Sequence, residues 1–286
     1  MSLALLNNIA ANRAHRSIMT AGSQLTNAIE RLSTGRRINS AKDDAAGVAI
    51  SSKMNAHIRS LGAATINAHS AVSFVETMDQ AHKEHVHILE RMRTLAVQGS
   101  TEGTLTSSDR DAMNQEYYSL GSEFDRISDS VQYNGQNLLA ENGNWSFQVG
   151  IMNTDNDRLT LTTNSTHVMG LLTEANYNGW PSNPYTKHSL GTASRSQLSL
   201  KTMDILIQGV LNKRAALGAF ENRAKVSMGN LSTYRMNLSA AHSRITDADV
   251  ATEMQRMTTS RMLADASVSV MSQANAIPGV VMSLLG

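Results

Sequence analysis

The 286-residue sequence predicts a mainly α-helical protein, an elongated rod of long coiled-coil helices with a small β-hairpin region. Three observations favour this class. Only 4% of the residues are aromatic although 41% are hydrophobic, so aliphatic side chains supply the core, as in packed helices rather than an aromatic-cored β-sandwich. The three prolines are Pro181, Pro184 and Pro278, which leaves the first 180 residues free of this helix breaker. Apolar residues also recur at alternating steps of three and four, the spacing of one helix face.

The first two helices are predicted by separate apolar stripes. The first stripe consists of Ala11, Ala14, Ile18, Ala21, Leu25, Ala28 and Leu32. Gly35 should end this helix, because glycine adopts the left-handed backbone of helix ends at little cost. A second stripe runs from Met54 to Leu95 and predicts a helix over residues 44–98. At about 1.5 Å per residue that helix is about 80 Å long.

The spacing of apolar residues changes in the middle of the chain. A third helix should begin with Ser107 or Ser108 as its N-cap and fold back on the second helix. Alternating apolar residues then predict a β-hairpin across the turn-rich residues 153–157. The alternating residues are Trp145, Phe147 and Val149 before the turn and Leu159, Leu161 and Thr163 after it. Residues 166–194 are rich in Gly, Pro, Ser and Asn, which is typical of a variable surface segment.

Helical spacing returns near residue 195 and continues to the end of the chain. The last stripe consists of Leu263, Ala266, Val270, Ala274, Ile277, Val281 and Leu284. Both ends of the chain are therefore amphipathic, and alone they bury too little apolar surface to offset about 1–2 kcal/mol of backbone entropy per residue. We expect them to pair with each other or with copies of themselves. Head-to-tail contacts that do not close would then build a helical fibre.

Composition excludes several kinds of site and partner. The chain has no cysteine, which rules out disulfides, thiolate zinc sites and cysteine nucleophiles. Its net charge of +1 gives no global electrostatic footprint for nucleic acid. The apolar start of the chain is too short for an ordinary signal peptide, and no window approaches the roughly 18 apolar residues of a membrane span. We predict no nucleic-acid partner and no membrane partner.

Several sequence runs together resemble the bacterial flagellins. The most specific is the run RLSTGRRINSAKDDAAGVAI at residues 31–50, which resembles the N-terminal signature of that family nearly unbroken. Further matches are RMRTLAVQ at 91–98, YNG at 133–135, FQVG at 147–150, LGAFENR at 217–223, SRITDAD at 243–249 and QAN at 273–275. The resemblance covers nearly the whole chain except residues 166–194.

The resemblance implies inner-tube and shell layers, as in flagellins. It predicts an N-terminal inner-tube helix at 1–40 and N-terminal shell helices with the β-hairpin at 41–165. It further predicts a short variable segment at 166–194, a C-terminal shell helix at 195–244 and a C-terminal inner-tube helix at 245–286. Because the variable segment is only some thirty residues long, a smooth filament with little or no outer domain is expected.

The function implied is that of a structural subunit which polymerises into the flagellar filament, the helical propeller of swimming motility. The subunit would be secreted and extracellular, and not an enzyme. Its implied partners are copies of itself, the flagellar export apparatus, an export chaperone, and the filament cap and junction proteins. The alternative is a hook–filament junction protein, which shares both terminal signatures but does not grow indefinitely. A secreted enzyme on a coiled-coil scaffold is opposed by the lack of a coherent catalytic set.

Three groups of residues are the candidate sites. Self-assembly is assigned to stripe residues of the terminal helices: Ile18, Leu25, Leu32, Leu263, Val270, Ile277 and Leu284. Contacts between subunits, or contacts where the inner-tube and shell layers meet, are assigned to residues around the break after the first helix: Arg31, Arg36, Arg37, Asp43 and Asp44. The resemblance also implies that Arg91, Leu95 and Glu116 form a patch for the innate immune receptor that senses flagellin in animals. The primary role of these three residues is expected to be packing between subunits.

Two groups of ionisable residues allow a chemical interpretation as well as a structural one. On a helix, His82 and His85 share a face at a spacing that could bind a metal, with Glu84, His87 and Glu90 nearby. We interpret these histidines instead as surface or stripe residues, because no HExxH motif occurs in either direction. Adjacent acids do not face each other on a helix, so Asp43 and Asp44 are interpreted as capping residues. No catalytic, metal or cofactor residues are predicted.

Overall fold

The computed structural model describes residues 8–168, 171 and 190–285, and within them the fold is mainly α-helical with a β-hairpin region, as predicted. Its five long helices are α1 (Ile9–Thr34), α2 (Ala45–Gly99), α3 (Ser107–Ser130), α4 (Ala193–Thr246) and α5 (Val250–Leu285). Most of the predicted variable segment 166–194 lies outside the described residues. No helix in the described ranges combines the length and the apolar character needed to cross a membrane.

The chain forms two compact units. The terminal unit joins Met1–Ile58 with Met236–Gly286, and the central unit is Arg59–Arg235. Helices α2 and α4 each contribute residues to both units, whereas α1 and α5 belong to the terminal unit alone. The terminal unit therefore brings the two ends of the chain together.

Helix ends follow from local capping. The side chain of Asn8 accepts a hydrogen bond from the backbone N–H of Ala11 at 3.0 Å and starts α1. Gly35 ends α1 with a φ of 68°, which confirms the predicted left-handed terminus. The N-cap of α3 is Thr106, which forms a capping box with Asp109, so the prediction of Ser107 or Ser108 was wrong by one or two residues. Thr106 was overlooked because several neighbouring hydroxyl residues are equally good caps.

The core of the central unit is built where α2, α3 and α4 pack together. Its buried members are Leu89, Met92, Leu95, Ala96, Tyr117, Phe124, Val168, Leu171, Leu190, Met203, Leu206 and Val210. Asp79 on α2 and Arg214 on α4 add a two-pronged ion pair with N–O distances of 2.8 and 3.1 Å.

Two antiparallel hairpins follow α3. The predicted hairpin is formed by β3 (Gly143–Gln148) and β4 (Arg158–Thr163), with Phe147 opposite Leu159 and Trp145 opposite Leu161. Phe74 on α2 anchors it, because its ring lies 5.0 Å from the ring of Trp145 and 5.4 Å from that of Phe147.

A second, shorter hairpin was not predicted. It pairs β1 (Gln132–Tyr133) with β2 (Gln136–Asn137). The connecting residues, Asn134 and Gly135, have φ values of 51° and 79°, the pattern of a two-residue type I′ turn. The Asn-Gly dipeptide is the signal that could have revealed it.

Candidate assembly interface

Alanine and serine occupy five of the six fully buried positions of the seam between α1 and α5. On α1 the buried residues are Ala14, Ala21 and Ala28, one every seven positions. On α5 the buried or half-buried residues are Glu253, Met257, Ser260, Ala264, Ser267, Met271 and Ala274, again at steps of three and four. Asn8 joins the far end of the seam by donating from its side-chain amide to the carbonyl oxygen of Ala274 at 2.7 Å. Alanine and serine let the two helices approach closely.

The large apolar residues predicted for self-assembly differ between the two helices. On α1, Ile18, Leu25 and Leu32 are half-buried and alternate with the buried alanines of the seam. On α5, Leu263, Val270 and Ile277 remain 52%, 53% and 56% exposed. The three repeat at seven-residue intervals and share one face of α5, beside the face that meets α1. The side chain of Leu284 lies outside the described residues.

Helix α5 is apolar on more than one side. In addition to the face formed by Leu263, Val270 and Ile277, it exposes Val250, Met254, Met262 and Val268, each by half or more of its surface. Helix α1 similarly exposes Ile9, Met19 and Ile29. Among the described residues these side chains lie outside the seam, so α1 and α5 present apolar surface that a partner can bury.

A buried carboxylate fixes the two helices at one position along the seam. Glu253 on α5 has a side chain that is 6% exposed, and its Oε1 accepts hydrogen bonds from two arginines. Arg256 Nη1 lies 2.9 Å away on the same helix, and Arg31 Nη1 lies 3.3 Å away on α1. The predicted joint residue Arg31 thus has a partner within its own chain. The sequence did not predict this role for Glu253, because its charge interrupts the apolar spacing of α5.

The two connections that lead to the terminal helices are tied together. Arg36 and Asp247 form an isolated antiparallel β-bridge. Beside it, the backbone N–H of Arg37 donates to the carbonyl oxygen of Thr246 at 2.7 Å, and that of Ala248 donates to Gly35 at 2.9 Å. We call this set of contacts the joint. It couples the segment after α1 to the segment before α5.

Side chains reinforce the joint. The guanidinium of Arg37 donates to the carbonyl oxygen of Ile245 at 2.7 Å. Hydroxyl groups of Ser243 and Thr246 donate to the Asp247 carboxylate and hold its pKa below the usual range. Asp247 is therefore ionised at neutral pH. The structure places Arg36 and Arg37 in the joint.

Asp43 and Asp44 lie side by side but perform separate tasks. Asp43 accepts hydrogen bonds from the backbone N–H groups of Ser40 and Asn39, which lower the pKa of its carboxyl group. Asp44 accepts from the backbone N–H of Gly47 at 2.8 Å and caps the first turn of α2. Both acids organise the turn between the joint and α2, and they do not form a paired-carboxylate site.

Arg91 and Glu116 meet on the surface of the central unit. Arg91 Nε donates to Glu116 Oε1 at 2.7 Å, which links α2 to α3. Leu95, the third residue of the candidate receptor patch, is buried in the core beneath α2. The structure thus brings the two charged members together at the surface and places the leucine under it.

The histidines of α2 separate into a buried and an exposed group. His82 and His85 are buried, and burial lowers the pKa of His82 to about 3 and that of His85 to about 4. His85 stacks on Phe124 at 4.0 Å and donates from Nε2 to the carbonyl oxygen of Phe124 at 3.2 Å. Across residues 8–168, 171 and 190–285, no group of three or more His, Asp or Glu side chains has metal-binding geometry. The two buried histidines are stripe residues of the core.

A cavity of about 660 Å³ lies in the central unit between α2, β4 and α4. Its walls include apolar side chains such as Met78, Leu161 and Leu217, with Lys213 at one side. Lys213 donates to the carbonyl oxygen of Asn164 at 3.1 Å, so it belongs to the support of β4.

Comparison with known proteins identifies relatives over nearly the whole length of the chain. Residues 5–144 match the family model of the bacterial flagellin N-terminal helical region, and residues 200–285 match that of the bacterial flagellin C-terminal helical region. A flagellin of Halalkalibacterium halodurans is 37% identical over 279 residues, and a flagellin of Bacillus subtilis is 34% identical over 299 residues. Each alignment covers 97% of this chain and 98% of the relative.

Solved structures with a similar fold include a flagellar protein. It is provisionally described as a flagellar hook-associated protein from Vibrio parahaemolyticus, and it superposes with a TM-score of 0.56 over 72% of this chain and 100% of its own. At 14% sequence identity the likeness concerns the fold alone.

Proposed function

Because the chain belongs to the bacterial flagellin family, we propose that the exposed apolar faces of α1 and α5 are the surfaces through which it polymerises. The protein is a structural subunit of the flagellar filament, an extracellular appendage that drives swimming. The observation that carries the proposal is the apolar character of α5 beyond the seam, where Leu263, Val270 and Ile277 are more than half exposed. At about 25 cal/mol per Å² of buried apolar surface, covering such faces with other copies stabilises a polymer substantially.

The joint has a proposed role in this assembly. A subunit that adds to a filament must present both terminal helices together, because each buries the small residues of the other. The bridge between Arg36 and Asp247 and the ion pair between Arg31 and Glu253 hold the two helices in one register before any partner arrives. We assign Arg31, Arg36, Arg37, Asp43 and Asp44 to this preorganisation, which lowers the entropic cost of association.

The layers implied by the family extend the proposal to the rest of the chain. Segments 1–40 and 245–286 would form the inner tube, segments 41–165 and 195–244 the shell, and segment 166–194 the outer surface. The subunit would be secreted through the flagellar export apparatus with a chaperone, and would contact the cap and junction proteins at the ends of the filament. Recognition by an animal innate receptor would use the surface pair of Arg91 and Glu116. We propose no catalytic activity.

The hook–filament junction protein is the less supported alternative. The two relatives named above are flagellins and align over nearly their full length, whereas the hook-associated structure shares only the fold. A junction protein would also not extend a filament indefinitely. Growth beyond a few subunits is therefore the property that separates the two functions.

The proposed interface is tested by placing a charge on it. Ile277→Asp puts a carboxylate on the exposed face, and an unpaired buried charge is strongly unfavourable. We expect this variant to lose polymerisation on seeds while its central unit keeps the helical circular dichroism of the parent. Ile277→Leu is the matched control, because it preserves apolar volume, and should polymerise. Normal filaments from Ile277→Asp would remove this face from the interface.

A further inference from the structure

Methionine is concentrated on the C-terminal helix α5. The chain contains 16 methionines and no cysteine. Five of the 16 fall within the 36 residues of α5: Met254, Met257, Met262, Met271 and Met282. Met254 is 51% exposed and Met262 is 66% exposed, and on α1 Met19 is 64% exposed. Methionine thioethers thus lie among the apolar side chains that the polymer is proposed to bury.

A thioether is the side chain on these faces that mild oxidants attack. The sulfur lone pair attacks one oxygen of hydrogen peroxide, an S–O bond forms as the O–O bond breaks, and the departing oxygen leaves as water after proton transfer. Sulfur loses two electrons and the peroxide gains them. The product, methionine sulfoxide, is polar where the parent side chain was apolar. Because the chain has no thiol, no cysteine competes for the oxidant.

We propose that Met19, Met254 and Met262 form an oxidation-sensitive site that controls polymerisation: two-electron oxidants of the peroxide class convert them to sulfoxides and block subunit addition. This inference rests on the proposed function, since it assigns a modification to the same surface. Each sulfoxide brings a strong hydrogen-bond acceptor into an interface that offers apolar partners, and burying it without a donor is costly. In the free subunit the same three sulfurs are in contact with solvent and are open to attack.

The location of these methionines distinguishes them from an exposed methionine elsewhere. Met152, which connects β3 and β4 in the central unit, is 60% exposed, so its accessibility matches that of the three. It belongs to the central unit, whereas α1 and α5 belong to the terminal unit. Oxidation of Met152 alone should therefore leave the proposed interface unchanged, which makes it an internal control.

The test oxidises purified full-length monomer with hydrogen peroxide, removes the peroxide with catalase, and measures seeded polymerisation by sedimentation. Peptide mass spectrometry reports which methionines gained one oxygen. We expect oxidised monomer to show a rise of about tenfold or more in the concentration needed for polymerisation, the effect of one uncompensated polar group at the interface. Treatment with methionine sulfoxide reductases and dithiothreitol should restore the original value. Full sulfoxide formation with unchanged polymerisation would overturn the proposal.

Variants identify the sulfurs responsible. The triple variant Met19→Leu, Met254→Leu and Met262→Leu keeps apolar volume and has no oxidisable sulfur at these positions, so its polymerisation should resist peroxide. Met152→Leu should remain as sensitive as the parent. Equal sensitivity of the triple variant and the parent would overturn the assignment to these three residues. If the triple variant itself fails to assemble, the three single Met→Leu variants decide the assignment, and full parental sensitivity to peroxide in all three would overturn it; failed reductase rescue of the oxidised parent would overturn the proposal.

The same experiment separates this inference from the function on which it rests. Untreated monomer that does not polymerise on seeds would contradict the proposed function. Untreated monomer that polymerises, with fully oxidised monomer that polymerises equally well, would contradict only the oxidation-sensitive site.

Discussion

Arg31 on α1 lies 3.3 Å from Glu253 on α5, measured from Nη1 to Oε1, and this ion pair joins helices from opposite ends of the chain. The Glu253 side chain is almost fully buried and also binds Arg256. A buried carboxylate with two arginine partners is specific to one register of the helices, since sliding either helix by one turn would separate the charges. The pair therefore reports directly on whether the terminal unit has formed.

Removal of this carboxylate should loosen the terminal unit. In Glu253→Ala the guanidinium of Arg31 loses its partner beside the seam, and we expect the terminal unit to lose about 1–3 kcal/mol of stability. Glu253→Gln keeps an acceptor of the same shape and should lose less. Hydrogen exchange of amides in α1 and α5 measures the effect, with amides of α3 as the internal reference. Unchanged protection of α1 in the alanine variant would contradict this role.

Gly35 should be sensitive to any side chain. Its φ of 68° is strained for other residues, and a Cβ there would meet no atom within 4 Å, so the cost is purely one of backbone conformation. We expect Gly35→Ala to destabilise the terminal unit by about 1–2 kcal/mol.

The matched control for Gly35 lies in the same helix. A Cβ at Gly22 would also meet no atom within 4 Å, but this position is in the interior of α1. Gly22→Ala should therefore stabilise α1 by about 0.5–1 kcal/mol. Chemical unfolding followed by circular dichroism compares the two variants. The same sign of change in both would contradict the account of Gly35.

The buried histidines should make the central unit sensitive to acid. The pKa values of His82 and His85 are lowered from 6.5 to about 3 and about 4, mainly by burial. The unfolded chain therefore binds more protons than the folded chain below pH 6.5. The contribution of the two histidines to the free energy of unfolding is complete above pH 6.5. It falls as the pH decreases from 6.5 towards the folded-state pKa values, by up to about 1.4 kcal/mol per pH unit for each histidine.

Variants isolate the contribution of the two histidines. The double variant His82→Leu and His85→Leu should show a shallower loss of stability between pH 6.5 and 4 than the parent. His69→Leu, at an exposed position of the same helix, should keep the parental slope. Urea unfolding at a series of pH values measures both. Identical slopes in the double variant and the parent would show that other groups dominate the acid response.

Phe74 should contribute to the stability of the central unit through the hairpins. Its ring lies 5.5 Å from that of Tyr133 and also packs on Trp145 and Phe147. We expect Phe74→Leu to cost about 1–2 kcal/mol, since it removes these aromatic contacts while keeping an apolar side chain. Ile66→Ala, on the exposed side of α2, should change stability by no more than about 0.5 kcal/mol. Urea unfolding monitored by tryptophan fluorescence tests the pair, and equal effects would contradict the anchoring role.

The fold was predictable because its signals are local. Apolar spacing and scarce proline predict long helices, and Gly35 alone predicts the end of α1. The orientation of α5 was not predictable from periodicity. Leu263, Val270 and Ile277 were expected to take part in self-assembly, either with the first helix or with copies of the chain, and within the subunit they lie beside the seam and stay exposed. On a helix with several apolar faces, spacing does not show which face meets which partner, and close approach favours alanine and serine over the larger side chains.

Seeded assembly of the unmodified protein tests the central claim most directly. Purified monomer is mixed with short filament fragments and salt, and the product is examined by negative-stain electron microscopy. The account predicts long filaments that grow with added monomer, because the exposed apolar faces of α1 and α5 become buried between copies. Monomer that keeps its helical circular dichroism yet adds no length to any seed would contradict it, and would favour a junction protein instead.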